Sequence, residues 1–304
     1  MKGIENMEKE QELLKPKIDV VFHSLFRKGN ERITKALITS IINEKIEKVE
    51  LDKDRYVVGE YPEEKLGIVD MKAELDNGTI CDIEIQLSDN KDTAERFLYY
   101  WSRIYSGQLV KGKKYRNLNK VIGIIIIDYN FEKTKEIERM STKWKIKEVT
   151  TGKEIELTDM LELYIIEISK VKRALEKNPE DKLAQWIQFL DNPNEKGVLK
   201  KVMEKNKEIK EAMEDLERLS EIKKLRRIAE LKEKAIRDEE NGLRHAKEEG
   251  IAEGKKLGLE EGRAIGEKSK QLEIARNLLQ EGMSIEKVST IVGLTKEEIE
   301  KIEK

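Results

Sequence analysis

Apolar and polar residues alternate with two different periods along the first part of the chain. Between residues 17 and 46, apolar side chains recur at helical spacing with an interruption at Gly29-Asn30, which predicts two helices. From residue 66 to residue 87 the period is two, apart from the segment Asp76-Asn77-Gly78, which predicts a β-hairpin. Residues 92 to 110 return to helical spacing with one broad apolar face, which predicts a further helix.

More strands are predicted after this helix. The run Val121–Ile127 is short and rich in β-branched residues, which is typical of a strand buried on both faces. Residues 144–149 and 154–157 predict a second hairpin that turns at Thr151-Gly152, and residues 164–168 predict one more strand. The mixture of helices and strands indicates an α/β or α+β domain.

Prolines and tryptophans mark where this domain ends. All four prolines and all three tryptophans precede residue 194, so we expect the core to lie in a domain of residues 1–195. The remainder is predicted to be a helical extension in two parts, a helical and glycine-repeat linker at 196–270 and a small module at 271–304.

The linker has two repeating patterns. An apolar residue falls at every third position from Leu216 to Leu231. Because a helix has 3.6 residues per turn, these side chains would wind around the helix and would not form a straight coiled-coil seam. A glycine then falls at every fourth position from Gly250 to Gly266, at a cost of about 1 kcal/mol each in a helix. Either these glycines let two helices approach closely or they form a flexible spacer. We expect the tail to make the protein a homo-oligomer.

The module at 271–304 has the pattern of short helices separated by glycine turns. Thr295 and Glu298 predict a capping box at the start of the last helix, and the whole pattern resembles a helix-turn-helix. The module contains five basic residues and seven glutamates. Because its net charge is negative, it is a poor binder of a DNA groove. A protein-interaction module is therefore favoured over DNA reading.

The register of the first hairpin follows from its two faces. A two-residue Asn77-Gly78 loop would mix polar and apolar side chains on both faces. A three-residue loop, a type I turn followed by left-handed Gly78, pairs residues whose numbers add to 154 and sorts the faces cleanly. Asp70 then faces Glu84, and Lys72 faces Asp82.

Two carboxylates directly opposite each other repel unless a positive charge lies between them. Mg²⁺ binds oxygen ligands and commonly uses one or two carboxylates, and Gln86 adds an amide on the same face as Glu84. The alternative is an ordinary solvated face with Lys72 and Asp82 as an exposed ion pair. The spacing alone leaves both interpretations open.

Composition narrows the possible functions. Charged residues make up 40% of the 304 residues and hydrophobic residues 38%, with a formal net charge of -2, so part of the chain must be exposed. We expect a cytoplasmic protein without a membrane span or secretory signal. Cys81 is the only cysteine and there are two histidines, so disulfides within the chain and thiolate zinc sites are excluded. Metal chemistry must therefore rest mainly on carboxylates.

Several motifs together resemble a known nuclease branch. These are Lys17-Ile18-Asp19-Val20-Val21-Phe22, Gly67-Ile68-Val69-Asp70-Met71-Lys72-Ala73, Cys81-Asp82-Ile83-Glu84-Ile85-Gln86 and Phe97-Leu98-Tyr99-Tyr100-Trp101-Ser102-Arg103. They resemble the recombination-promoting nuclease / putative transposase family of the PD-(D/E)XK superfamily. The resemblance covers residues 15 to 130 and implies a restriction-endonuclease-like core, a mixed sheet flanked by helices, with a long helical C-terminal extension.

The resemblance also implies a metal-dependent DNA endonuclease associated with recombination or mobile DNA. Asp70 and Glu84 would bind Mg²⁺, or Mn²⁺ as a substitute, with Asp19 as a possible accessory ligand. Gln86 stands where the superfamily has its catalytic lysine, and Lys72 on the same face is the candidate for the missing positive charge. The alternatives are a catalytically silent DNA-binding or assembly protein, and a metal-free interaction protein whose tail is the function.

A basic loop beside this hairpin predicts contact with DNA. Five positive charges and no acidic residue lie within ten positions, at Lys111, Lys113, Lys114, Arg116 and Lys120. Arg103 lies upstream on the predicted helix. Such a loop suits the phosphate backbone, which gives affinity that is largely independent of sequence. A solvated basic loop is the alternative.

Overall fold

The computed structural model describes residues 12–51, 56–57, 67–68, 71–89, 91–112 and 114–301. Its strands are β1 (Val49–Leu51), β2 (Tyr56–Val57), β3 (Gly67–Ile68), β4 (Met71–Leu75), β5 (Ile80–Gln86), β6 (Val121–Ile127), β7 (Ser141–Trp144) and β8 (Leu161–Glu167). Its helices are α1 (Asp19–Leu25), α2 (Glu31–Ile42), α3 (Thr93–Gly107), α4 (Val171–Lys177), α5 (Lys182–Asp191), α6 (Lys196–Lys205), α7 (Lys207–Ser220), α8 (Lys223–Gln280), α9 (Ile285–Val292) and α10 (Lys296–Glu300).

A mixed six-stranded sheet with the order β1-β4-β5-β6-β8-β7 forms the centre of the fold. The three central strands β5, β6 and β8 run parallel, and the strands toward both edges pair antiparallel. β6 is buried along its whole length, as the sequence predicts. The predicted fold class, a mixed sheet flanked by helices with a long C-terminal helix, is confirmed.

Alternate residues of the central strands enter two separate apolar clusters. On one face, Ile83, Ile124 and Tyr164 join Phe22 of α1 and Trp186 of α5 in a large cluster, called the main cluster below. On the other face, residues of β6 and β8 pack against α3 in a smaller cluster, called the α3 cluster, whose buried members are Phe97, Ile125, Ile127, Leu161, Leu163 and Ile165. The side of a strand on which a residue lies therefore decides which helix it meets.

The first hairpin has the register that the sequence predicts. Met71 pairs with Ile83, Lys72 with Asp82 and Ala73 with Cys81, so the numbers of paired residues add to 154. The Gly78 amide donates to the Leu75 carbonyl oxygen at 2.9 Å, and Gly78 has a φ of 79°. Glycine adopts this left-handed conformation at little steric cost, which is why it closes the three-residue loop.

The predicted second hairpin is only partly formed. β7 lies at Ser141–Trp144, earlier than expected, and residues 144–157 form a loop with the single bridge Lys147–Glu156. Gly152 turns this loop with a φ of 68°. The two predicted segments still face each other as in a hairpin, since the Glu148 amide donates to the Ile155 carbonyl oxygen at 2.8 Å and the Leu157 amide donates to the Ile146 carbonyl oxygen at 3.0 Å, but they do not form regular strands.

Helices beyond residue 195 also pack on the main cluster. Leu199, Ile209, Leu216 and Leu225 are buried members of it, and a compact unit of the chain ends at Arg237. The predicted boundary at 195 falls inside this unit. The apolar pattern from Leu216 to Leu231 does not lie on one helix either, since α7 ends at Ser220 and α8 begins at Lys223.

A second compact unit begins at Asp238. Its helices α9 and α10 pack against the end of α8 through Ala275, Val288, Val292 and Ile299. Gly293 ends α9 with a φ of 72°, and the predicted capping box of Thr295 and Glu298 is present. Among the helices of the described residues, none combines the length and apolarity that a membrane crossing requires.

Candidate active site

The polar face of β5 lies under α3. Asp82, Glu84 and Gln86 alternate with Cys81 and Ile83, which belong to the main cluster on the opposite face. Asp82 is 1% exposed and Glu84 is 7% exposed. The interpretation of this face as an ordinary solvated surface is therefore wrong for these two carboxylates, since both are buried.

Cross-strand pairing brings Lys72 to the same place. Lys72 lies directly opposite Asp82 and is half-buried, so its charge belongs to this face. Asp70, the predicted partner of Glu84, lies outside the described residues. The observed register ends at Met71–Ile83, one pair short of Asp70 and Glu84.

An arginine of α3 contacts the same face. The Arg96 guanidinium lies 4.0 Å from Glu84 Oε2 and 5.4 Å from the centre of the Tyr100 ring. Phe97, one residue further on, packs over the neighbouring strand at Gly123, where a Cβ would lie 2.9 Å from the ring. The absence of a side chain at Gly123 therefore lets α3 lie close to the sheet.

Gln86 ends β5 with its amide oriented by the following turn. Its Nε2 donates to the Ser88 carbonyl oxygen at 3.1 Å. The backbone amide of Asp128, directly after β6, donates to the Gln86 carbonyl oxygen at 3.0 Å.

Lys17 joins two carboxylates near this strand end. The Asp128 carboxylate accepts from Lys17 Nζ at 2.6 Å, and the Asp191 carboxylate accepts from the same group at 2.7 Å. Burial lowers the pKa of Lys17, but these two hydrogen bonds outweigh it and the pKa is raised.

Asp19 is held by other groups. It forms an ion pair with Lys232 of α8, and its Oδ1 accepts from the Val20 amide at 2.6 Å. Its helix α1 packs into the main cluster, whereas Glu84 lies on the α3 side of the sheet. Within the described residues, the structure does not bring Asp19 together with Glu84 and Gln86.

The predicted basic loop is an exposed segment. Lys111, Lys114 and Arg116 are exposed, and Tyr115 between them is 78% exposed. Lys113 lies outside the described residues. Arg103 on α3 is half-buried.

Lys120 differs from the other members of the loop because it binds a buried carboxylate. Its Nζ lies 2.9 Å from Glu162, which also pairs with Lys143 at 2.9 Å and with Lys145 at 3.2 Å. Burial raises the pKa of Glu162, but the hydrogen bonds from Lys143 and Lys120 outweigh it and hold the pKa at about 2. This cluster fixes the start of β6 against β7 and β8.

Sequence reasoning missed two residues of the site. Asp82 was interpreted only as the exposed partner of Lys72, although its alternation with Glu84 places it on the same face. The sequence pattern assigned no role to Arg96. The signal for Arg96 lies in its position one residue before Phe97, which marks the face of α3 that meets the sheet.

The donor set fits a hard divalent cation in its chemistry. Asp82 and Glu84 supply carboxylate oxygens and Gln86 supplies an amide oxygen, and Mg²⁺ prefers such ligands. Among the described residues, no group of three or more His, Cys, Asp or Glu side chains is arranged to hold a metal ion. Asp70 is not among those residues.

The mixed sheet, its buried carboxylates and the flanking helices define a protein with the PD-(D/E)XK-like α/β fold. The family described as PD-(D/E)XK nuclease family transposase matches residues 16–246, and the chain belongs to this family. Residues 268–304 match the description "Rpn/YhgA-like nuclease family, C-terminal HTH domain". The resemblance seen in the sequence is thereby confirmed. Comparisons with curated proteins and with solved structures gave no significant match.

Proposed function

We propose that the protein is a metal-dependent DNA endonuclease that hydrolyses phosphodiester bonds in recombination or mobile DNA. The observation that carries the proposal is the register of β4 and β5, which collects Lys72, Asp82 and Glu84 on one covered face. Membership of a nuclease family gives this face its chemical interpretation.

In this proposal Asp70 and Glu84 hold Mg²⁺, for which Mn²⁺ can substitute. The bound ion supplies a Lewis acid and a water molecule of lowered pKa. Lys72 stabilises the negative charge that develops on the phosphate, the part that a lysine at position 86 would otherwise take. Gln86 orients the attacking water or a phosphate oxygen, and Asp82 holds Lys72 in place from the facing strand.

DNA is held mainly through its phosphates. The exposed Lys111, Lys114 and Arg116, together with Lys113, form the contact, with Arg103 and Lys120 at its sides. Because these groups meet the backbone and no base edge, binding is largely independent of sequence.

The C-terminal unit is assigned to interaction. The helix-turn-helix match supports DNA as a partner of this unit. Residues 271–304 contain five basic and seven acidic residues, which supports a protein partner, and we retain protein contact as the proposed role of this module. The glycine-repeat part of α8 is proposed to associate with a second copy of the chain, and the protein is proposed to act in the cytoplasm.

The test is incubation of the purified full chain with supercoiled, linear and single-stranded DNA in Mg²⁺, Mn²⁺ or chelator. We expect cleavage with either metal and none in chelator. The double variant Asp70→Asn, Glu84→Gln should be inactive, whereas Glu74→Gln, exposed at the far end of β4, should cut normally. Cleavage by the wild type no greater than that of the double variant would refute the nuclease.

Gln86 is the observation that favours a second function. An amide carries no positive charge, so a chain that has lost the superfamily lysine can retain the fold as a silent DNA-binding or assembly protein. In that case the wild type binds DNA with salt-dependent affinity and cuts none of the three substrates.

A further inference from the structure

The middle of α8 exposes an apolar and glycine-rich face that nothing in the described chain covers. Residues 250–266 are all exposed, and Ile251 and Ile265 are 61% and 70% exposed. A Cβ added at any of the five glycines of this segment would have no neighbour within 4 Å. Within one chain the glycines therefore cost about 1 kcal/mol each relative to alanine without any packing gain.

These residues fall on one side of the helix. At about 100° per residue, Ile251 and Ile265 lie about 20° to either side of Gly258, and Gly254 and Gly262 lie about 40° to either side. Such a face lets a second helix approach more closely than leucine-sized side chains allow. It is the kind of surface that packs against another helix.

The segment is also symmetric about Gly258 in its apolar and small residues. Gly250 corresponds to Gly266, Ile251 to Ile265, Ala252 to Ala264, Gly254 to Gly262, and Leu257 to Leu259. The order of apolar and small residues is therefore the same when the segment is followed from either end. Packing alone does not decide whether a second copy lies parallel or antiparallel.

The charges of the same segment are inverted about Gly258. Glu253 corresponds to Arg263, Lys255 to Glu261, and Lys256 to Glu260. Inversion about a helix position places the two members of each pair at equal angles to opposite sides of Gly258. At about 100° per residue, the basic residues lie about 60°, 140° and 160° to one side and the acidic residues lie at the same angles to the other side, so only Lys255 and Glu261 flank the packing face directly.

This separation of charge distinguishes the two arrangements. In a parallel two-fold pair, the basic flank of each helix adjoins the acidic flank of its partner on both sides of the contact. In an antiparallel two-fold pair, basic adjoins basic and acidic adjoins acidic. Lys255 and Glu261 lie nearest to the contact, about 60° from Gly258, and so contribute most to this difference.

We propose that two copies of this chain pair through residues 250–266 of α8, parallel and in register about Gly258. The occupant of the exposed face is a second copy, because the charges beside this face are complementary to those of the same segment in a parallel partner. The inference rests on the self-association proposed above and deepens it by giving the partner segment, its direction and its register.

Exchanging the charges at Lys255 and Glu261 tests whether the two helices are parallel. The measurement is the dimer dissociation constant of the full chain, determined by analytical ultracentrifugation. Lys255→Glu and Glu261→Lys should each raise the Kd about three- to tenfold, because each puts like charges on both flanks. The double variant should restore the wild-type Kd, and a mixture of the two single variants should form mixed dimers preferentially. Single variants that dimerise as the wild type does would overturn the parallel register.

A glycine replacement tests the close approach. Gly258→Leu should raise the Kd about tenfold or more while increasing helix content, because leucine favours a helix but separates the two helices. Gly242→Leu is the matched control. A Cβ at Gly242 would also have no neighbour within 4 Å, but this glycine lies outside residues 250–266, so the Kd should be unchanged. A full chain that is monomeric at all concentrations would overturn the proposal. Neither measurement uses DNA, so failure of the nuclease leaves this result standing.

Discussion

Lys72 on β4 lies directly across from Asp82 on β5, and only the lysine retains contact with solvent while the carboxylate is 1% exposed. The cross-strand pairing therefore places a half-buried base and a buried acid side by side on the same face of the sheet. This relationship connects the hairpin register with the proposed chemistry, in which Lys72 takes the part of the lysine that is missing at position 86.

Replacing Lys72 by methionine should lower kcat about a hundredfold, because the charge that stabilises the transition state is removed. Gln86→Lys should retain or raise activity, since it restores a cation beside the scissile phosphate. Steady-state cleavage of a labelled duplex measures both effects. Lys48→Met, an exposed lysine of the loop before β1, is the control that should show no change. Full activity of Lys72→Met would remove this residue from the mechanism.

Asp70 and Glu84 should bind one metal ion, which can be measured without cleavage. Mg²⁺ or Ca²⁺ should raise the Tm of the wild type and have little effect on Asp70→Asn or Glu84→Gln. In chelator each variant should be at least as stable as the wild type, because carboxylate repulsion across the strands is relieved. Thermal denaturation of the three proteins with and without metal tests whether both carboxylates are needed for the increase in Tm. A metal response that survives both substitutions would place the ion elsewhere.

Neutralising the exposed loop should weaken all DNA binding alike. Changing Lys113, Lys114 and Arg116 to alanine should raise the Kd for unrelated duplexes by similar factors. The slope of log K against log salt should fall by about 0.9 for each phosphate that the protein no longer neutralises. Fluorescence anisotropy at several salt concentrations measures both. Lys223→Ala with Lys224→Ala, an exposed pair at the start of α8, serves as the control. Weaker binding to one sequence alone would indicate base recognition.

Glu162 should make the protein sensitive to acid. Its folded-state pKa of about 2 lies below the ordinary 4.5, so its charge stabilises the fold above about pH 4.5. This contribution is lost as the pH falls from 4.5 toward 2. Glu162→Gln should therefore cost about 3 kcal/mol at pH 7, and the difference from the wild type should shrink below pH 4. Urea denaturation at several pH values tests this, and Glu156→Gln, at an exposed glutamate that pairs with Lys145, is the comparison that should have a smaller effect.

Gly123 should not tolerate a side chain. A Cβ at this position would lie 2.9 Å from the Phe97 ring and 3.0 Å from Leu163, so Gly123→Ala should destabilise the fold by about 1 to 3 kcal/mol. Phe97→Leu in the same chain should recover part of the loss by relieving the clash. Chemical denaturation of the two variants gives the answer. A neutral Gly123→Ala would mean that α3 shifts freely on the sheet.

Local pattern was enough to predict the elements that carry the site. The period-two alternation and Gly78 together fixed the β4–β5 register, because only one loop length separates polar from apolar side chains. β6 followed equally directly from its apolar run. These features depend on neighbouring residues, so a single sequence contains them.

The burial of Asp82 and the end of the first unit depend on contacts that are distant in the chain. Asp82 pairs with Gly123 of β6, over which Phe97 of α3 packs, so its surroundings depend on residues that are distant in the chain. The helices after residue 195 join the main cluster although they contain no proline or tryptophan, so composition placed the boundary too early. Local periodicity does not report which element covers which face.

The hairpin loop at Asp76-Asn77-Gly78 has a consequence for how this chain can change. Surface loops commonly accept insertions and deletions. Here the gain or loss of one residue would exchange the two sides of β5 relative to β4, so that Cys81 and Ile83 would pair with the polar side of β4. The loop can accept point substitutions that are compatible with the φ of 79° at Gly78. A change in loop length would instead place Lys72 on the opposite side of the hairpin from Asp82 and Glu84.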